Sequence, residues 1–167
     1  MLALQITSMK HFMHQLLTDD AFDIFLLEEA TISTANTVSI DGHFNRNFYS
    51  PEELTSSQIP NYEYTPWNNL KGLCFQLIKG KRTPLSFKFV FHLKPEHMLQ
   101  LLLKEECSLD TSAVKAMVLT VRYNGSLAVL TTACAYHTFI MTKEAEQIWD
   151  KALTRYLSGK NIPYELM

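Results

Sequence analysis

The sequence predicts an α+β domain whose sheet is mainly antiparallel, and three observations carry that prediction. Apolar residues switch several times between the two-residue alternation of a strand and the roughly 3.6-residue spacing of a helix. Asn124-Gly125 joins two strand-like runs with too few residues between them for a parallel crossover. The order strand, helix, strand, strand occurs twice, once in residues 1–43 and again within 67–167, with a long connection at 44–66 between them. At 167 residues the chain suits one domain, 1–167, around one core.

Leu2, Leu4 and Ile6 alternate with Ala3 and Gln5, a short half-buried strand. Thr7 or Ser8 then caps a helix carrying Met9, Phe12, Met13, Leu16 and Leu17 on one stripe. From Phe25 to Ile40 the β-branched content rises; Ala35-Asn36 separates the two arms of a hairpin and Asp41-Gly42 marks the next turn. The connection holds Pro51, Pro60 and Pro66 with Ser50, Ser56 and Ser57, and Ser50-Pro51-Glu52-Glu53 fits a capping box opening a brief helix. Thr65-Pro66 starts a longer helix through Leu70, Leu73, Cys74, Leu77 and Ile78, which Gly80 stops.

Leu85–Leu93 reads as a strand with Phe87, Phe89 and Phe91 on one face and Lys88, Val90 and His92 on the other. Pro95 opens a helix through Met98 and Leu101–Leu103. A strand from Met117 to Tyr123 leads into Asn124-Gly125, expected as a type I′ turn with positive φ at both central residues. The return strand runs from Leu127 to about Thr132, and Tyr136–Met141 is expected to add another. Thr142 caps a C-terminal amphipathic helix bearing Ala145, Ile148, Trp149, Ala152, Leu153, Tyr156 and Leu157, which Gly159 ends.

This order looks like that of the processivity clamps of DNA polymerases, whose domains pair two such units about a pseudo-twofold axis. The stretch Leu77-Ile78-Lys79-Gly80-Lys81-Arg82-Thr83-Pro84-Leu85-Ser86-Phe87-Lys88, with Met1-Leu2-Ala3-Leu4, resembles a domain-of-unknown-function family of small proteins from anaerobic Firmicutes. That likeness implies a bacterial, cytoplasmic protein and brings no activity, cofactor or site.

Composition narrows the function. With 47% apolar and 19% charged residues the chain is neither disordered nor a coiled coil, and a formal net charge of −2 excludes a uniformly basic surface. Met1–Ile6 lacks a basic leader region, and no window approaches the roughly 20 apolar residues of a membrane span, so no membrane partner is expected. Cys74, Cys107 and Cys134 form no Cys-x-x-Cys pair and fit a reducing cytoplasm.

The near-neutral total hides segregation. Residues 1–66 hold Asp19, Asp20, Asp23, Glu28, Glu29, Asp41, Glu52, Glu53 and Glu63 against only Lys10 and Arg46. Between Glu63 and Glu96 every charge is positive: Lys71, Lys79, Lys81, Arg82, Lys88 and Lys94. Lys79, Lys81 and Arg82 surround Gly80 where a helix ends, and Lys88 extends the charge along the next strand. The four are the candidate polyanion site, with nucleic acid or an acidic protein as partner. The same cations also suit a helix C-terminus, which the helix dipole favours without any ligand. Acidic-to-basic contact between copies would give a homo-oligomer.

Catalytic signals are sparse, and neither a cofactor nor a metal site is expected. His11 and His14 lie three apart on the first helix, but no further ligands are signalled. Cys134 and His137, at an odd separation, fall on opposite faces of a continuous strand. Glu28/Glu29 and Asp19/Asp20 are adjacent and so do not face one another on a regular element. A small enzyme with an unrecognised site would draw on His92, His137 or Cys134. Phe48, Tyr49, Tyr62, Tyr64 and Trp67 crowd the long connection beside the basic segment, where they either stack on bases or pin the loop.

Overall fold

Alternation along Ala3–Ile6, Ser86–Leu93 and Val114–Tyr123 sets a core face of the sheet, and the helices pack on it. The computed structural model describes every residue except Ser57, one of the serines of the long connection, which lies outside the described residues. The first unit is β1 (Ala3–Ile6), α1 (Met9–Leu17), β2 (Phe25–Ser33) and β3 (Thr37–Asp41). The connection contains α2 (Pro51–Thr55) and leads to β4 (Thr65–Pro66) and α3 (Trp67–Ile78). The second unit is β5 (Ser86–Leu93), α4 (Pro95–Lys104), β6 (Val114–Tyr123) and β7 (Ala128–Tyr136), followed by α5 (Glu144–Gly159) and β8 (Tyr164–Leu166).

These strands form one antiparallel sheet in the order β3-β2-β5-β6-β7-β1-β8, with β4 added to β2. Phe87, Phe89 and Phe91 of β5 are buried, and α1, α3, α4 and α5 contribute Phe12, Trp67, Leu102 and Trp149 to the same core. Lys88, Val90 and His92 take the opposite face, as their alternation requires. The two units keep the same element order but not the same pairing. β5 pairs with its own unit's β6, whereas β1 pairs with β7 and β8 instead of β2.

Local signals hold in several places. Ser50 accepts from the Glu53 amide while the Glu53 carboxylate accepts from the Ser50 amide, and Pro51 sits at the first turn of α2. Gly80 follows α3 at φ +149°, a conformation only glycine adopts freely. Other expectations are corrected. Asn124 does not have positive φ; Gly125 alone does, at +100°, and the β6–β7 turn is a four-residue loop. The Asn124 side-chain oxygen accepts from the amides of Ser126 and Leu127, a local closure that needs no type I′ backbone. Residues 136–141 do not add a strand. β7 instead continues unbroken to Tyr136, and the chain then leaves the sheet with Phe139 and Met141 exposed.

Candidate functional site

Two regions gather polar side chains, and they differ in how the fold treats charge. The first is the basic turn. α3 ends because Lys79 takes extended backbone (φ −62°, ψ 148°), and Gly80 then redirects the chain toward β5. The turn faces α1 across a cleft of about 610 Å³, counting its open mouth. Met9, Met13, Ile78, Phe87 and Tyr123 supply apolar lining, Lys10, Lys79 and Arg82 supply charge, and no acidic residue lines it. Lys81 is exposed in the same turn. Among the described residues, none of Lys10, Lys79, Lys81 or Arg82 forms a salt bridge. Lys79 Nζ lies 5.9 Å from the Phe75 ring centre, a weak restraint that leaves its hydrogens free.

Lys88 is not part of this cleft. Phe87 lines the cleft from the core side of β5, so the neighbouring Lys88 projects from the other sheet face. There its Nζ donates to Glu29 at 2.8 Å. The sequence-stretch of four cations is therefore split, and Lys10, from α1, joins the turn in place of Lys88.

The second region lies on that opposite face. A β-bulge interrupts β2 between Leu27 and Glu29. Gly42 seals it: the Gly42 amide donates to Glu28 O at 2.8 Å, and a Cβ at this position would lie 1.8 Å from Leu27 O. The extra residue lets Glu28 and Glu29 reach the same face, contrary to the regular-strand expectation. Glu28 Oε2 meets His92 Nε2 at 2.6 Å, and Asp41 Oδ1 meets His43 Nδ1 at 2.7 Å. Tyr64, buried to 8% exposure, lies between the imidazoles with its ring centre 4.7 Å from each. The hydrogen bond to Asp41 raises the His43 pKa above its ordinary 6.5. The His43 amide and ring nitrogen hold the Asp41 carboxyl below the usual range. Burial, then the nearby Glu28, Glu63 and Asp41 charges, push the Tyr64 phenol up. Each imidazole has a carboxylate to orient it, but its own hydrogen-bonding atom toward that carboxylate is thereby occupied.

The remaining candidates do not converge. Cys134 pairs with Met117 on the core side of β7, and burial pushes its thiol up to about 12, away from thiolate chemistry. His137 is exposed beyond the strand end, and His92 is on the outer face, so no thiolate–imidazole arrangement forms. His14 Nδ1 bonds the Thr18 hydroxyl at 2.8 Å, while His11 Nε2 lies 3.4 Å from Lys160 O. Among the described residues no group of three His, Cys, Asp or Glu is placed to hold a metal ion. The connection's aromatics mostly pin the loop: Tyr62 donates to Glu96, and Trp67 Nε1 donates to Leu16 O at 2.9 Å. Phe48 is the exception, 83% exposed.

A family model for a family of unknown function, DUF5721, matches residues 15–165, and the chain belongs to that family. No curated protein and no solved structure matches it. No described helix is long and apolar enough to cross a membrane.

Proposed function

We propose that the protein is a non-catalytic binding domain that takes single-stranded nucleic acid at the cleft between α1 and the turn at 79–84. The observation that carries this reading is that Lys10, Lys79 and Arg82 line one cleft with no acid among its lining residues and no salt bridge to spend them. Unpaired cations keep their attraction for phosphates, whereas paired ones must first lose a partner. Tyr123, half-buried and stacked on the buried Phe87 with ring centres 5.0 Å apart, gives the same cleft one accessible aromatic ring beside the cations, which suits a base lying between phosphates. An acidic protein would use the cations but not the Tyr123 ring, so nucleic acid is the reading the cleft favours.

Bacterial, cytoplasmic work fits this proposal; the three free cysteines are consistent with a reducing compartment. The likeness to sliding clamps contributes the order of elements and nothing about this cleft.

Fluorescence anisotropy with a labelled single-stranded oligonucleotide, from low to moderate salt, tests the proposal. With three phosphates neutralised, log affinity is expected to fall against log salt with a slope of about −2. Absence of binding at low salt, or binding indifferent to salt, overturns it; capture of an acidic polypeptide with no oligonucleotide binding would replace nucleic acid by a protein partner.

A further inference from the structure

We infer a second ligand site, in the groove between α4 and α5, that takes a medium-chain alkanoate: a linear apolar chain ending in a free carboxylate. Two adjoining clefts share Leu101, Ala152 and Tyr156 and so run into one another. The inner one, of about 130 Å³, is walled by Phe25, Leu93, Trp149 and Leu153. Protein interiors ordinarily close such apolar space, because unfilled volume forfeits packing contacts on every wall. The outer cleft holds about 350 Å³, so it is the continuous groove, not the inner end alone, that reaches the range small ligands fill.

The polar atoms on the inner walls are few and partly spent. Tyr156 donates its hydroxyl to Ala21 O and Trp149 its ring N–H to Val118 O at 3.0 Å, which leaves His97 as the one other polar side chain lining it. An ionised or strongly polar group would find almost nothing to replace its water in this part of the groove, so the inner occupant is hydrocarbon. The outer cleft is different: Lys104, Arg155 and Lys160 line it with Glu105. Glu105 bonds Arg155 at 2.7 Å, and the Arg155 guanidinium holds its carboxyl below the usual range, so that pair is internally neutral. Lys104 and Lys160 have no acidic partner among the described residues, and Lys160 Nζ lies 5.6 Å from the ring centre of Tyr156, at the junction of the two clefts. The groove thus runs from a hydrocarbon-lined end to a cationic mouth, which is the order of parts in an alkanoate.

The test uses the protein's own fluorescence. Trp149 lines the inner cleft, while the other tryptophan, Trp67, is buried elsewhere with its ring nitrogen bonded to Leu16. Decanoate brominated at its chain end, kept below its micelle concentration, should quench emission saturably in the wild type but not in Trp149→Phe. Ala152→Phe, which narrows the junction, should abolish the quenching while leaving far-UV circular dichroism and the thermal midpoint intact. Lys104→Glu with Lys160→Glu should weaken the bromodecanoate several-fold yet leave the matching bromoalcohol unchanged; Lys104 is exposed and Lys160 half-buried, and an unchanged alcohol affinity shows that the groove itself is intact. Absent or non-saturable quenching, survival of quenching in Ala152→Phe, or equal losses for acid and alcohol would overturn the assignment. So would capture of the protein by anionic phospholipid vesicles without displacement by decanoate, since the mouth would then read a lipid surface.

Discussion

The basic turn and the outer sheet face carry charge to opposite ends. On the outer face the acidic groups are paired, Glu28 with His92, Glu29 with Lys88 and Asp41 with His43, while Arg122, opposite Lys88, has no acidic partner among the described residues. At the turn, Lys10, Lys79, Lys81 and Arg82 have none among the described residues. The difference follows from topology. β2 and β5 are neighbours, so the acidic first third of the chain and the basic band after Glu63 meet strand to strand, and Lys71 of α3 also reaches Asp23 at 2.7 Å. The turn at 79–84 lies beyond the strand ends, faces α1 rather than β2, and is left out of this neutralisation. Paired charge shapes the sheet; unpaired charge is what a partner can use.

Changes on the paired side should cost stability, and the largest cost is expected where backbone meets backbone. Gly42→Ala should destabilise by about 3 kcal/mol or more in urea unfolding, because its Cβ would collide with Leu27 O and neither chain can yield without opening the bulge. A near-wild-type midpoint would show that the bulge does not depend on that close approach. Lys71→Met comes next, at about 1–3 kcal/mol, since its ammonium also donates to Asp19 O and the pair is largely buried. Lys88→Met should cost less than about 1 kcal/mol, its pair with Glu29 being half exposed. If Lys88 matters more than Lys71, the ranking by burial is wrong.

The smallest effect is electrostatic. The His43 ring should titrate above 6.5 by NMR and fall to about its ordinary value in Asp41→Asn. Because the folded pKa of His43 is raised, the pair adds stability below the ordinary value and loses it as pH rises through the raised one. The lowered pKa of Asp41 removes the same contribution at the acid end, as pH falls through it. An unchanged His43 titration in Asp41→Asn would break the dyad.

Much of the fold is legible in the residues themselves. The alternation of Phe87, Phe89 and Phe91 identifies the dry face of β5, and the Ser50 capping box and the stop at Gly80 are local signals that local physics decides. Tertiary pairing is not local. β8, only three residues long, exists because β1 offers it an edge, and β4 is two residues docked on β2. The basic turn was visible as a charge run, but alternation at β5 sends Lys88 to the other face, and Lys10 joins only through the packing of α1 against α3. The histidine cluster was hidden because adjacent carboxylates do not share a face on a regular strand. The signal was Gly42 after Asp41, a residue without a side chain where another backbone must pass.

The central claim is that the unpaired cations, not the paired ones, bind the partner. The salt dependence of single-stranded oligonucleotide binding should be measured for the wild type, for Lys79→Glu with Arg82→Glu, and for Lys88→Gln. The account predicts that the double reversal abolishes binding at moderate salt, while Lys88→Gln keeps both the affinity and the slope of about −2. Binding that survives the double reversal but is lost in Lys88→Gln would contradict it.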